Sequence, residues 1–274
     1  MPVRLDDFDG ARPAMSATQW RQRLDSGEMM LGLWLASASP TVAELLGGSG
    51  ADWLIIDAEH TPQTLPGIAD QLRALEASPA FTVVRAPSKD PAEIGRLLDV
   101  GARGVMVPMI DTADDARAAI AAAGYPPSGT RGVGGGFARA TRWSELGDYL
   151  GRSGEAHALI LQIESVRAVE QIEGILEVEG VEAVFVGPAD LAASVGLLGQ
   201  PRHHTVRELV ERVIAAATER GVAVGVNAFD QGDVAHYADR GARLFGVSAD
   251  VTLLRRGSTA TLTALRSELG GHAP

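Results

Sequence analysis

A parallel α/β barrel of eight strands is the fold this sequence predicts, and three observations predict it. Eight short apolar runs alternate with stretches of helical spacing from Leu31 to the C-terminal helix. The runs are continuous in large aliphatic residues, as in strands buried on both faces. Glycine recurs before every second run, in Gly50-Ala51-Asp52, Gly101-Ala102-Arg103, Gly180-Val181-Glu182 and Gly241-Ala242-Arg243. A helix that ends on a left-handed residue before a strand favours glycine there. Strand–helix alternation at this count implies a parallel sheet closed on itself, the (β/α)8 TIM barrel.

The elements follow in order. Residues 1–15 mix Pro, Gly, Asp and Arg without a period and read as a loose, flexible arm, which leaves 16–274 as a single barrel domain. Ser16 caps a helix to about Ser26, and the first strand covers 31–36. Strands are then expected over 53–57, 81–85, 104–108, 158–164, 183–186, 222–226 and 244–247. Between them, helices are expected from Pro40 to the Gly47-Gly48 stop and over 65–77, 91–100, 112–123, 165–176, 205–220 and 233–240, with a closing helix to about Leu269. Two connections, 124–157 and 187–204, are unusually long, and long connections in a compact domain tend to be functional.

Composition narrows the function. The chain has 274 residues, 46% of them hydrophobic, enough for one large core. A net charge of −11 argues against a nucleic-acid binder, which needs a basic face. With no cysteine, disulfides, thiolate nucleophiles and Cys-ligated metals are excluded, and any metal must sit on oxygen or imidazole. Asp6, Asp7 and Asp9 fall where a signal peptide needs positive charge and then apolar residues, and no apolar run is long enough to span a membrane. A cytoplasmic protein without membrane or nucleic-acid partners is expected.

In such a barrel the carboxyl ends of the strands carry the chemistry. The second strand ends in Asp57-Ala58-Glu59-His60, the third in Arg85, the fifth in Gln162 and Glu164, and the sixth is followed by Asp190. Side chains alternate along a strand, so Gln162 and Glu164 point the same way. Glu164 and Asp190 suggest a hard divalent cation, which prefers carboxylate oxygen and leaves other positions to water and substrate; capping of a short helix opened by Asp190-Leu191 is the plainer alternative. His60 titrates in the range suited to proton transfer. Arg85 suits a developing oxyanion, an ion pair with Asp57 or Glu59, or both. The Arg131-to-Gly136 stretch lacks the pattern of a phosphate loop and reads as a flexible active-site loop. No lysine ends a strand to form a Schiff base, since Lys89 lies in a loop.

With those residues in view, the chain resembles the HpcH/HpaI aldolases, metal-dependent class II aldolases of the phosphoenolpyruvate/pyruvate type of barrel. The resemblance rests on Gly32-Leu33-Trp34-Leu35, the run from Asp52 to His60, Val84-Arg85, and Leu97-Leu98-Asp99-Val100-Gly101-Ala102. It continues through the stretch from Tyr125 to Gly134, Ala138 to Trp143, Gln162-Ile163-Glu164, and Gly187-Pro188-Ala189-Asp190-Leu191. It implies cleavage of 4-hydroxy-2-oxo acids to pyruvate or hydroxypyruvate and an aldehyde. By the same resemblance, Glu164 and Asp190 would hold Mg²⁺, Mn²⁺ or Co²⁺, His60 would be the base, and Arg85 would stabilise the enolate. Trp34, Gln162, Gly187, Pro188, Ala189 and Asp190 would bind the 2-keto acid, and Asp57 would position the aldehyde.

Asp99 would polarise the histidine. It precedes the fourth strand and so belongs at the opposite rim from His60, which implies a site shared between subunits of a homo-oligomer, with a hexamer built as a trimer of dimers expected. Asn227, a polar residue beyond the seventh strand, and the glycines at 134–136 depart from the family pattern on the aldehyde side. The alternatives are a CoA-ester lyase of the citrate lyase β-subunit type and a non-catalytic 2-keto acid sensor. The first needs a basic groove that the composition does not suggest. The second has no use for a base.

Overall fold

Each aliphatic run forms a strand, and the strands pair in parallel and in chain order until the last closes on the first. The molecule is a computed structural model that describes residues 14–269. Its strands are β1 (Met30–Leu35), β2 (Trp53–Asp57), β3 (Phe81–Arg85), β4 (Gly104–Val107), β5 (Ala158–Ile163), β6 (Ala183–Val186), β7 (Ala223–Asn227) and β8 (Leu244–Ala249). The proposed arm lies, over residues 1–13, outside the described residues. The recurrent glycines behave as their positions require: Gly50, Gly101, Gly180 and Gly241 have φ of 85°, 97°, 92° and 115°, where a Cβ would be strained.

Two apolar clusters divide the core. One fills the space between the strands and the surrounding helices; the other fills the barrel interior with Met30, Trp53, Phe81, Phe185 and Leu244 among others. Interior rings need room, and Gly32 supplies it, because a Cβ there would lie 2.4 Å from the Trp53 indole. The helix Ala17–Asp25, held by a Ser16–Gln19 capping box, brings Trp20 to stack on Phe81 at 4.5 Å between centroids. Trp20 thereby plugs the amino-terminal end of the barrel. Burying a ring of this size stabilises by roughly 2–3 kcal/mol.

Three details differ from the expectation. Strand β5 stops at Ile163, so Glu164 is the first residue beyond it. The segment expected as one helix over 165–176 is two, Val166–Glu170 and Ile172–Leu176, separated at Gln171; we have no physical account of the break. The 187–204 connection opens with a helix, Pro188–Ser194, whose proline at the first turn is preorganised for it.

The 124–157 connection folds as short 3-10 turns and one short helix. It joins the end of the helix Ala113–Ala123 to the start of β5, and so lies on the amino-terminal rim. This corrects the reading of Arg131–Gly136 as a loop over the chain's own active site. Arg131 is buried there against Asp99, and Arg139 binds Glu76 and the Val100 carbonyl.

Candidate active site

Strand register assembles the site at the carboxyl-terminal rim. Pairing of β2 with β3 sets Asp57 beside Arg85. Pairing of Ile163 with Val186 in β5 and β6 brings Glu164 level with Gly187, and Asn227 of β7 lies beside Gly246 of β8.

Glu164 is buried, with both oxygens engaged. Its Oε1 accepts from the Met109 N–H at 2.8 Å and its Oε2 from the Gln162 amide at 2.5 Å, as the shared face of these two residues predicts. Met109 has φ of 55°, a left-handed conformation that costs a non-glycine residue about 1–2 kcal/mol and that accompanies the N–H aimed at the carboxylate. Lys89 donates to the Met109 carbonyl and pairs with Asp115 at 2.8 Å. Burial pushes the Glu164 carboxyl up to about 7; the Met109 N–H opposes this, and the negative charges of Glu59 and Asp190 add to it.

Arg85 is held in place by two acidic neighbours. Its Nε and Nη2 donate to Asp57 at 2.9 and 2.8 Å, and its Nη1 faces Glu59 at 2.9 Å. The guanidinium also lies 4.6 Å over the Trp34 ring, a cation–π contact. Asp57 in turn accepts from the backbone N–H groups of Glu59 and His60, so one carboxylate fixes both the arginine and the turn that carries the histidine. The His60 side chain is 60% exposed at the rim, with Nε2 3.6 Å from Glu59. Burial raises the Glu59 carboxyl, and Arg85 opposes the rise.

The structure therefore brings Trp34, Asp57, His60, Arg85, Gln162, Glu164, Gly187, Pro188, Ala189 and Asp190 to one rim. Asp99 is elsewhere. It ends the helix Pro91–Asp99 on the opposite rim and accepts from Arg131 at 2.6 Å. Glu59 was named in the sequence only as a possible partner of Arg85, yet it stands here between Arg85 and His60. Met109 was missed, because a backbone N–H aimed by a left-handed residue leaves no pattern in the sequence.

A larger cavity of about 540 Å³ opens at the other end of the barrel around Arg21, Glu182 and Arg243. Arg21 and Glu182 there pair with each other at 2.8 Å. The two-carboxylate arrangement belongs to the carboxyl-terminal rim.

Among the described residues, no three His, Asp or Glu side chains stand together as a full coordination set. The donors present nevertheless suit a hard cation that keeps positions open for water and substrate. Glu164 is a buried carboxylate beside Asp190, and Gln162 Oε1 is buried without a hydrogen-bond partner. Gly187 leaves the approach clear, since a Cβ there would lie 3.0 Å from Glu164 Oε2 and 3.1 Å from Gln162 Nε2. No helix among the described residues is long and apolar enough to cross a membrane.

Known proteins share this sequence pattern and this fold. The family model for HpcH/HpaI aldolase/citrate lyase matches residues 30–257. The 4-hydroxy-2-oxo-heptane-1,7-dioate aldolase of Salmonella dublin is 41% identical over 249 residues, which is 91% of this chain and 95% of that protein. Among solved structures, an HpcH/HpaI aldolase/citrate lyase family protein from Burkholderia cenocepacia superposes with a TM-score of 0.88 at 43% identity, covering 91% of this chain and 99% of the other. The HpcH/HpaI aldolase of Desulfitobacterium hafniense superposes with a TM-score of 0.83 at 32% identity, covering 93% and 98%.

Proposed function

The chain belongs to the HpcH/HpaI aldolase/citrate lyase family, and from that premise we propose that it is a class II aldolase of 4-hydroxy-2-oxo acids. It cleaves them reversibly to pyruvate or hydroxypyruvate and an aldehyde. The observation that carries the reading is the Glu164–Gln162–Gly187 cradle, a buried carboxylate under an open approach, on the same rim as Arg85 and His60. Glu164 and Asp190 would hold a divalent ion, Mg²⁺, Mn²⁺ or Co²⁺, which supplies Lewis acidity at the keto oxygen when bound.

The protein groups supply the rest. Gln162, Gly187, Pro188, the Ala189 N–H and Trp34 line the 2-keto acid pocket. His60 removes a proton from C3 of the keto acid, directly or through a water, and returns it in the cleavage direction. Three of the five N–H groups of Arg85 face Asp57 and Glu59, which leaves one on each terminal nitrogen for the enolate oxygen. Because its carboxylate partners are already in place, the guanidinium needs no reorganisation when that charge develops. Asp57 acts on the aldehyde side, next to the turn that carries His60. In cleavage His60, directly or through a water, takes the C4 hydroxyl proton, the C3–C4 bond breaks, the aldehyde leaves and the same proton is delivered to C3 of the enolate.

Homo-oligomerisation, as a hexamer built from three dimers, belongs to the same reading, with Asp99 polarising the histidine at position 60 of a neighbouring subunit. Two apolar surfaces support it. The helix Asp250–Glu268 has Leu254 at 73% and Leu262 at 52% exposure, and beside Asp99 the 124–157 connection presents Phe137 at 94%. A cytoplasmic location fits the acidic, cysteine-free composition.

The test is a screen of pyruvate and hydroxypyruvate against a panel of aldehydes, in the presence of each ion. A new carbon–carbon bond with at least one pair is expected. Binding of 2-keto acids without product from any pair would replace this reading with that of a sensor.

A further inference from the structure

Lys89 is the one lysine in a chain with 24 Lys and Arg residues. It stands in the turn between β3 and the helix Pro91–Asp99 and reaches the Glu164 cradle through the backbone of Met109. Its Nζ lies 3.1 Å from the Met109 carbonyl and 2.8 Å from Asp115 Oδ1. Asp115 is itself fixed, since its Oδ2 accepts from the Asp111 N–H at 3.1 Å and from the Thr112 hydroxyl at 3.0 Å. The Met109 carbonyl and the Ile110 N–H belong to one peptide, and that N–H donates to the Gln162 carbonyl at 3.2 Å. The 109–110 peptide is therefore held at both its polar ends. Only the φ and ψ of Met109 join it to the peptide whose N–H meets Glu164 Oε1 at 2.8 Å. Met109 is left-handed, with φ of 55°, and a residue with a Cβ leaves that conformation unless its surroundings hold it there. Turning it back would swing the 109–110 peptide off Lys89 and Gln162, or the Met109 N–H off Glu164.

We propose that Lys89 is a positioning residue for the divalent ion: by holding the Met109 carbonyl it keeps the Met109 N–H on Glu164 Oε1, and so fixes the carboxylate in the orientation that receives the cation. This rests on the reading above, in which Glu164 and Asp190 hold that cation. The direction of the effect separates positioning from simple charge. An ammonium group near a cation site weakens binding by like-charge repulsion, so removing it for its charge alone strengthens binding. Removing it as the clamp on the Met109 backbone weakens binding, because Glu164 loses the donor that orients it. Partners that stand behind a metal ligand typically change affinity ten- to a hundredfold when they are removed. The clamp also accounts for the one lysine being here, outside any surface charge network of the arginines: its ammonium joins a fixed carboxylate to a backbone carbonyl that nothing else among the described residues engages.

The experiment measures Mn²⁺ binding by calorimetry to the metal-stripped wild type, Lys89→Met and Lys89→Arg, each checked by its melting curve. Methionine keeps the stem and removes the donor and the charge, whereas arginine keeps both. The expected result is a Kd for Mn²⁺ about ten- to a hundredfold weaker in Lys89→Met and largely restored in Lys89→Arg. If the methionine variant fails to fold, the folded wild type is acetylated instead with an amine-selective reagent. Lys89 is the only lysine and its side chain is 40% exposed, so Lys89→Arg treated in the same way controls for the amino terminus. Unchanged or tighter Mn²⁺ binding in folded Lys89→Met, or in the acetylated wild type, overturns the proposal and leaves the aldolase reading standing. An equal loss in Lys89→Arg also overturns it, because the effect then does not follow the donor and its charge. A wild type that binds no divalent ion removes the reading of Glu164 and Asp190 and this inference together.

Discussion

Replacing Arg85 by alanine removes a guanidinium whose side chain is 8% exposed, from between Asp57 and Glu59, at 8% and 15%. Two consequences follow, and they are separable. The oxyanion loses a preorganised donor, which costs about 3–4 kcal/mol of transition-state stabilisation, a loss of roughly 10²- to 10³-fold in kcat. The two carboxylates also lose their partner, and breaking a buried pair costs about 3–5 kcal/mol of stability. Arg85→Lys divides these effects. It keeps a positive charge between the carboxylates, and so recovers part of the stability, but it cannot reproduce the fork to Asp57 or the plane over Trp34. The assays are steady-state pyruvate release and thermal unfolding of wild type, Arg85→Ala and Arg85→Lys. The expected pattern is low kcat in both variants, with the melting point largely restored in the lysine variant. Near-normal turnover in Arg85→Ala would refute the role given to the guanidinium.

The remaining expectations concern Glu164 and the subunit partners. Without an ion, burial holds the Glu164 carboxyl at about 7 against an ordinary 4.5, so cation binding must displace a proton below neutrality. Affinity should fall roughly tenfold per pH unit below about pH 7, as read by calorimetry in buffers of different ionisation enthalpy; Glu164→Gln should abolish binding, and a pH-independent affinity would exclude this carboxyl as the ligand. The same shift has a sign for stability. The folded metal-free protein keeps a proton that the unfolded chain loses, so Glu164 contributes about 3 kcal/mol below pH 4.5 that is lost as pH rises through about 7. His60→Ala and Asp99→Ala subunits, each inactive alone, should regain turnover when dissociated and reassembled together; no recovery would place Asp99 outside the site.

Much of this was legible in the sequence, for identifiable reasons. The barrel follows from strand and helix periods and from glycines whose left-handed conformation can be read from their place before a strand. The shared face of Gln162 and Glu164 follows from the two-residue period of a strand. The opposition of Asp99 and His60 follows from the direction in which helix and strand run. Less legible was whatever depends on backbone direction or on contacts distant in sequence. The Met109 N–H under Glu164 is set by one left-handed residue, and the amide orientation of Asn227 by the Trp34 indole N–H six strands earlier. The rim on which the Arg131 loop lies was also less legible: its glycines do not say which end of the barrel it joins, whereas its place between a helix end and a strand start assigns it to the amino-terminal rim.

The central claim is that Glu164 and Asp190 hold the ion on which carbon–carbon cleavage depends. The most direct measurement follows pyruvate release from a 4-hydroxy-2-oxo acid before chelation, after chelation and dialysis, and after return of Mn²⁺ or Co²⁺, in wild type and in Glu164→Gln and Asp190→Asn. Loss of activity on chelation, recovery in the wild type and no recovery in either variant are predicted. Full activity in the chelated wild type, or recovery in both variants, would contradict the account.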